Sequence, residues 1–268
     1  MTRAGVLGSP ITHSLSPALH RAAYSALQLD WSYAAYEVDE DELASFLAEL
    51  DGCWAGLSLT MPLKSVVIPL LDTVDEVAGL ITSVNTVLPC PQGWRGTNTD
   101  VFGIVQSLTN RGVSAPSQAT VLGAGATARS AIAALAELGV REVLIVARRP
   151  EAAAELVRLA GQFGLISRAE PFVPCPELLR TDIVISTLPG SAAEPWARYA
   201  SAAPGTLLDA SYHPWPTPLV ASWPSDRVAS GRDMLLWQAV RQVELMTGQS
   251  APFEAMAAAL PALSTGTD

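Results

Sequence analysis

Fifteen of the sixteen cationic side chains in this 268-residue sequence are arginine, and the one lysine is Lys64. Arginine stays protonated in proteins, whereas lysine gives up and regains a proton in a suitable environment, so a lone lysine is a candidate acid or base. A surviving surface lysine explains the count as well as chemistry does, until its surroundings are read. Lys64 closes Thr60-Met61-Pro62-Leu63-Lys64, directly after an apolar, strand-like run. α/β folds place their chemistry on loops of this kind, where the chain leaves a sheet.

Other short polar groups gather at similar points. In Ser14-Leu15-Ser16-Pro17, Ser16 is the expected helix N-cap and Pro17 the first helical residue. Two hydroxyls beside a helix N-terminus suit a carboxylate, although capping alone accounts for them locally. Ser83-Val84-Asn85-Thr86 enters a strand, and Gly96-Thr97-Asn98-Thr99-Asp100-Val101-Phe102-Gly103 opens a helix. Such a set, added to Thr60 and Lys64, looks like recognition of a compact, polyhydroxylated molecule. His13, beside the serines, reads as polar lining and His20 as packing or surface. His13, His20 and His213 are not spaced as metal ligands, and no metal site is expected.

A second constellation lies further on. Gly123-Ala124-Gly125-Ala126-Thr127-Ala128 follows one apolar strand pattern and opens a helix. Gly123 suits the tight turn, Gly125 lets backbone approach a pyrophosphate, and the small Ala128 allows close helix–strand packing. The helix start supplies free N–H groups and a favourable dipole. An ordinary turn is the bland alternative, but the following strand ends about twenty residues on, as a dinucleotide site requires. That strand ends in Ala147-Arg148-Arg149, where an NAD site presents an acidic residue to the ribose. Two guanidiniums suit a 2′-phosphate, and cations are otherwise disfavoured at a helix start, so the expected cofactor is NADP.

The elements that must hold these groups alternate strand and helix, which predicts an α/β fold with largely parallel sheets. In the first half strands are expected at 4–7, 32–38, 55–59 and 84–88, with helices at 17–27 and 41–50. A helix over about 100–110 leads into a breaker-rich stretch. Strands follow at 119–122, 143–147, 183–186, 206–208 and 228–229, with helices to about 138, over 150–160, 233–246 and 252–259. Two domains are expected, with a cleft between them. Residues 1–103, completed by C-terminal helices of about 238–268, form a βαβ substrate domain; 104–237 form a Rossmann-type NADP domain. Hydrophobic residues make up 49% and charged residues 16% of the chain, a globular profile. The net charge of −10 and the lack of a basic stripe argue against a nucleic-acid surface. Scattered Cys53, Cys90 and Cys175, with no apolar run near the roughly 18 residues a bilayer needs, lead to the expectation of a soluble, cytoplasmic protein.

Taken together the motifs resemble the shikimate dehydrogenase family over nearly the whole chain. They run in order: Ser14-x-Ser16-Pro17, Thr60-Met61-Pro62-x-Lys64, Val84-Asn85-Thr86 and Gly96-x-Asn98-Thr99-Asp100-x-x-Gly103, then Gly123-Ala124-Gly125, Asp209-x-x-Tyr212 and Gly231-x-x-Met234-Leu235-x-x-Gln238. The resemblance implies that Ser14, Ser16, Thr60, Lys64, Asn85, Asp100, Tyr212 and Gln238 contact shikimate, with Lys64 and Asp100 as the catalytic pair. It implies that Thr187, Gly231 and Met234, besides Gly123–Ala128, Arg148 and Arg149, attend the cofactor, Met234 near the nicotinamide. It also implies a small-molecule enzyme of chorismate and aromatic amino-acid biosynthesis, monomeric or homodimeric. Three positions depart from the pattern. Ser58 stands where asparagine is frequent, Ala147-Arg148-Arg149 replaces Asn-Arg-Thr, and Ser230 precedes Gly231 where aspartate is usual. These leave open a quinate/shikimate or aminoshikimate dehydrogenase. A catalytically silent, cofactor-sensing regulator on the same fold is a further alternative, disfavoured by the intact Lys64 and Asp100.

Overall fold

The computed structural model describes residues 1–212 and 214–261; His213 and residues 262–268, the end of the expected C-terminal helical stretch, lie outside the described residues. The chain divides into two compact units, one of residues 1–100 with 235–261 and the other Val101–Met234. No helix among the described residues is long and apolar enough to cross a membrane.

The first unit is built on six strands, β1 (Thr2–Gly8), β2 (Trp31–Glu37), β3 (Trp54–Leu59), β4 (Thr73–Val74), β5 (Thr86–Cys90) and β6 (Gly93–Thr97), in the order β2-β1-β3-β5-β6-β4. Helices α1 (Ser16–Ala26), α2 (Leu43–Ala48), α3 (Leu63–Val66) and α4 (Glu76–Leu80) connect them. β1 is parallel to β2 and β3, but β3–β5 and β5–β6 are antiparallel. Three of the five pairings of this sheet, β4–β6 among them, are parallel, in keeping with the expected parallel character, and the β3–β5–β6 part is antiparallel. Only Pro91 and Gln92 separate β5 from β6, and so short a link closes a hairpin and cannot cross over to a parallel neighbour.

Strand alternation sorts the apolar side chains to two faces. Ala4 and Val6 of β1 join one cluster with Leu19, Ala23, Tyr24 and Tyr33. Leu7, one residue on, joins another with Leu43, Leu57, Leu59, Leu63 and Val87. Ser58 lies between Leu57 and Leu59 and is paired with Val6 of β1 and Thr86 of β5. It therefore faces the Ala4–Val6 side.

After α5 (Asp100–Thr109), the second unit has β7 (Gln118–Leu122), β8 (Glu142–Val146), β9 (Ile166–Glu170), β10 (Ile183–Ser186), β11 (Thr206–Asp209) and β12 (Val228–Ser230). All pair in parallel, in the order β12-β11-β10-β7-β8-β9. α6 (Ala126–Glu137), α7 (Pro150–Gln162), α8 (Gly190–Ala193), α9 (Ala197–Ala200) and α10 (Pro218–Ala221) accompany these strands. The order reverses between β7 and β10, and ligands of open parallel sheets bind outside the strand ends at such a point. Leu122, Val146, Val184, Trp196 and Leu207 share this unit's core.

α11 (Gly231–Thr247) carries the chain from the second unit back to the first, and α12 (Phe253–Ala258) follows. Ser230 opens α11 with a reciprocal cap: its N–H and hydroxyl donate to Asp233 Oδ2 at 2.8 and 2.9 Å, and Asp233 N–H donates back to Ser230 Oγ at 3.1 Å. That capping accounts for a serine at this position. Within the first unit Leu236, Ala239, Val240, Val243 and Met246 pack onto the Ala4–Val6 cluster, at the spacing of one helix face.

Candidate active site

The centre of the first unit is an ion pair. Lys64 Nζ lies 2.5 Å from Asp100 Oδ2, with side chains only 16% and 5% exposed. Burial at this level makes the pair mutually dependent, because removing one partner strands the other's charge. Lys64 is brought there by α3, which begins at Leu63, three residues after Thr60. Its backbone carbonyl accepts the N–H of Val84 at 2.8 Å, tying α3 to the segment that enters β5. Asp100 is the first residue of α5.

Asn85 completes the group. Its Nδ2 donates to Asp100 Oδ1 at 2.8 Å and lies 3.5 Å from Gln238 Oε1. Its Oδ1 accepts the Thr99 backbone N–H at 2.7 Å and the Thr86 hydroxyl at 2.8 Å. Four residues named from the sequence, Lys64, Asn85, Asp100 and Gln238, thus form one contiguous polar cluster. The bonds of the others run elsewhere. Ser14 Oγ accepts the Ser16 N–H at 3.3 Å, and the backbone of Thr60 donates to Leu7 and accepts from Leu63. Ser16 is not the N-cap expected of it: α1 starts at Ser16, Leu15 holds the cap position, and the Ser14 hydroxyl meets the free N–H instead. Both serines still lie at the helix start, Ser16 buried and Ser14 half-buried.

A second layer surrounds this cluster: Ser58, Gln242 and His20 are buried polar residues and Tyr33 a buried aromatic, and Gln242, which the sequence reading did not single out, reaches Thr86 and the Asn85 carbonyl. Gln242 follows Gln238 by four residues, so shared helix face was the available signal. His20 stacks on Tyr33 with ring centroids 4.0 Å apart, and burial pushes its pKa down to about 3. It is therefore a neutral packing residue.

The second unit holds the glycine turn at the β7–β10 switch point. Gly123 has φ of +112°, a conformation that favours glycine, and a Cβ there would run into Thr187 Oγ1. Thr187 itself follows β10, and its hydroxyl donates to the Leu122 carbonyl at 3.0 Å. A Cβ at Gly125 would project into open space, and Gly125 caps α6 without a side-chain bond. Backbone N–H groups of Ala126 and Thr127 are thus presented at the helix start, while Ala128 is fully buried. Gly123, Ala124, Gly125, Arg148, Arg149 and Thr187 line a depression of about 430 Å³. Arg149 is the N-cap of α7, and both arginines are exposed. A helix start with no side-chain cap, an open glycine and two exposed guanidiniums form a donor set that fits a phosphorylated dinucleotide. Gly231 and Met234 belong to the first turn of α11. Tyr212 is half-buried, which raises its pKa. It follows Asp209, whose carboxylate is pushed up by burial although Thr217 and Ser211 donate to it at 2.7 and 3.1 Å.

Comparison with known proteins shows the family. A model of the shikimate dehydrogenase substrate binding domain matches residues 6–87. One of shikimate / quinate 5-dehydrogenase matches 106–194, and one of the shikimate 5′-dehydrogenase C-terminal domain matches 231–260. A shikimate dehydrogenase (NADP(+)) of Synechococcus sp. strain JA-3-3Ab is 36% identical over 265 residues, spanning 94% of this chain and 90% of its own. The crystal structure of Mycobacterium tuberculosis shikimate dehydrogenase superposes with a TM-score of 0.91 at 43% identity, over 97% of this chain and 98% of that one. The shikimate 5-dehydrogenase of Thermus thermophilus, in complex with NADP(H) and shikimate, gives 0.82 at 31% identity over 97% and 98%. The chain belongs to the shikimate dehydrogenase family.

Proposed function

We propose that this chain is an NADP-dependent shikimate dehydrogenase, an oxidoreductase that reversibly reduces 3-dehydroshikimate to shikimate in chorismate and aromatic amino-acid biosynthesis. The observation that carries the reading is the buried Lys64–Asp100 pair, braced by Asn85, in a chain of this family. A catalytically silent regulator does not need a buried proton-transfer pair.

Oxidation of a carbinol removes a hydride from carbon and a proton from oxygen. NADP, when bound, supplies the hydride acceptor. The protein's own residues handle the proton and the geometry. Lys64 and Asp100 hold one hydrogen-bonded proton site that takes the hydroxyl proton in one direction and returns it in the other. Asn85 fixes the Asp100 carboxylate by occupying Oδ1. Ser14 and Ser16 bind the substrate carboxylate at the start of α1, and Thr60, Tyr212 and Gln238 complete the polar contacts with the ring. Gly123, Ala124, Gly125, Ala126, Thr127 and Ala128 cradle the pyrophosphate. Arg148 and Arg149 bind the 2′-phosphate, with Thr187, Gly231 and Met234 also contacting the cofactor. In domain terms, residues 1–103 with the C-terminal helices form the substrate domain and 104–237 the cofactor domain. The free thiols of Cys53, Cys90 and Cys175 support a cytoplasmic location. A monomer or a homodimer is the proposed assembly, which light scattering on the purified protein tests.

Because one matching model covers shikimate and quinate enzymes alike, the deciding experiment is a panel of shikimate, quinate and aminoshikimate, each with NADP and NAD. The reading requires shikimate with NADP to give the highest kcat/KM. Quinate equal to shikimate would replace it with a dual-substrate enzyme, and no turnover with any pair would leave the silent regulator.

A further inference from the structure

The polar layer behind the active cluster is wired in one direction. Gln242 is 1% exposed, and both ends of its carboxamide are satisfied. Nε2 donates to the Asn85 carbonyl at 3.2 Å and to Thr86 Oγ1 at 2.9 Å. A backbone carbonyl only accepts, so it settles which end of the amide is nitrogen. The other end, Oε1, must then accept from its two neighbours, Ser58 Oγ at 2.8 Å and His20 Nε2 at 3.2 Å. Ser58 spends its hydrogen on Gln242, so its oxygen accepts the Tyr33 hydroxyl, 2.7 Å away.

The same logic runs forward to the reacting pair. Thr86 Oγ1 accepts from Gln242, so its own hydrogen turns to Asn85 Oδ1 at 2.8 Å. Asn85 Oδ1 also faces the Thr99 backbone N–H at 2.7 Å, an obligate donor. Both donors hold the Asn85 amide with its nitrogen toward Asp100 Oδ1. Register places the links side by side: Ser58 and Thr86 are partners across β3 and β5 and present to the same sheet face, the face onto which α11 packs.

We propose that Gln242 is a positioning residue for catalysis, orienting Asn85 through Thr86 and so holding the Asp100 carboxylate against Lys64, with Ser58 and His20 fixing the Gln242 amide. The proposal rests on Lys64 and Asp100 being the acid–base pair. It also gives Ser58 a role that does not involve touching substrate: its hydroxyl is the donor that keeps the Gln242 nitrogen pointing at Thr86.

The direction of donation makes two substitutions informative. Gln242→Leu keeps the volume and removes both donors, freeing the Thr86 hydroxyl to turn from Asn85. Gln242→Glu keeps size and polarity, but when ionised it only accepts, opposes the Asn85 carbonyl and draws the Thr86 hydrogen to itself. When protonated it donates again.

The experiment is steady-state kinetics of shikimate oxidation with NADP from pH 6 to 10, on wild type, Gln242→Leu, Gln242→Glu, Thr86→Val and each Gln242 variant combined with Asn85→Ala. Gln242→Leu is expected to lose roughly ten- to a hundredfold in kcat, with KM for NADP unaltered. Gln242→Glu is expected to show a new fall in kcat as pH rises that Gln242→Leu lacks. In the Asn85→Ala background neither change adds a further loss, since the residue acts through Asn85. Wild-type kcat in Gln242→Leu, or the same additional loss with and without Asn85, overturns the proposal. If Gln242→Leu does not fold, Thr86→Val breaks the same link and must show the same kcat loss. Lys64→Arg and Asp100→Asn are run alongside. Normal turnover in both refutes the acid–base reading itself, whereas their collapse beside unimpaired Gln242 variants refutes the positioning role alone.

Discussion

Asn85 places its Nδ2 2.8 Å from Asp100 Oδ1, the carboxylate oxygen that Lys64 leaves free. One aspartate is thus held from both sides, by a neutral amide on one oxygen and a cation on the other. The carboxylate is presented in a single orientation, and preorganised geometry of this kind is worth orders of magnitude in rate.

Removing that amide has a predictable cost. Asn85→Ala strips Asp100 Oδ1 of its donor and leaves the Thr99 N–H and Thr86 hydroxyl without their acceptor. Buried groups left unsatisfied cost about 1–3 kcal/mol each, so with two stranded donors urea denaturation should show a loss of about 2–6 kcal/mol. Turnover should fall by more than NADP affinity, read as kcat against the Kd for NADP. Unchanged kcat would show that Lys64 alone orients the aspartate.

The exposed arginine pair beside α7 carries the second prediction. Each strong charge-assisted bond to a phosphate is worth about 1.5–3 kcal/mol. The double change Arg148→Ala, Arg149→Ala should therefore weaken NADP binding by roughly ten- to a hundredfold and leave NAD binding nearly as it was. Calorimetric titration with both cofactors checks this. Equal losses would mean that the pair supports the fold and does not read the 2′-phosphate.

Burial of His20 predicts a pH dependence of stability. Its folded pKa, about 3, lies below the ordinary 6.5, so between these values the unfolded chain binds the proton and the folded one does not. Stability from this residue is complete above about pH 6.5 and is lost as pH falls toward 3. From pH 7 to 5 the loss amounts to about 2 kcal/mol. His20 is faced by Tyr24, Tyr33 and Gln242, none of which ionises in that window. His20→Phe should therefore flatten the pH 5–7 change in urea midpoint relative to wild type. Asp209, shifted the opposite way, contributes equally to both proteins and cancels in the comparison. An identical slope in the two would show that another group governs it.

Local motifs were the legible part of this chain. The Gly123–Gly125 turn, the arginine pair and the Thr60–Lys64 loop each write their chemistry into adjacent residues, and the parallel strands that support them are apolar runs. β6 was not legible, because Gly-Trp-Arg-Gly-Thr carries no alternation. Nor was β9, an edge strand whose Ile166 is 70% exposed. Ser16 reads as a cap by type, yet Ser14 does the bonding. Gln242 was least legible of all. A helical glutamine reads as surface, and its burial depends on Ser58, Thr86 and His20, residues far off in sequence that only the packed sheet and helix bring together.

The role of Lys64 in proton transfer is tested by single-turnover reduction of 3-dehydroshikimate by NADPH in Lys64→Arg. The substitution keeps the charge opposite Asp100 but cannot release a proton near neutrality. The rate should be lower by about a hundred- to ten-thousandfold, the range of a lost general acid or base, in a protein whose circular dichroism and NADP binding match wild type. A near-normal rate in that folded, cofactor-binding variant would contradict the assignment of Lys64 and Asp100 as the acid–base pair.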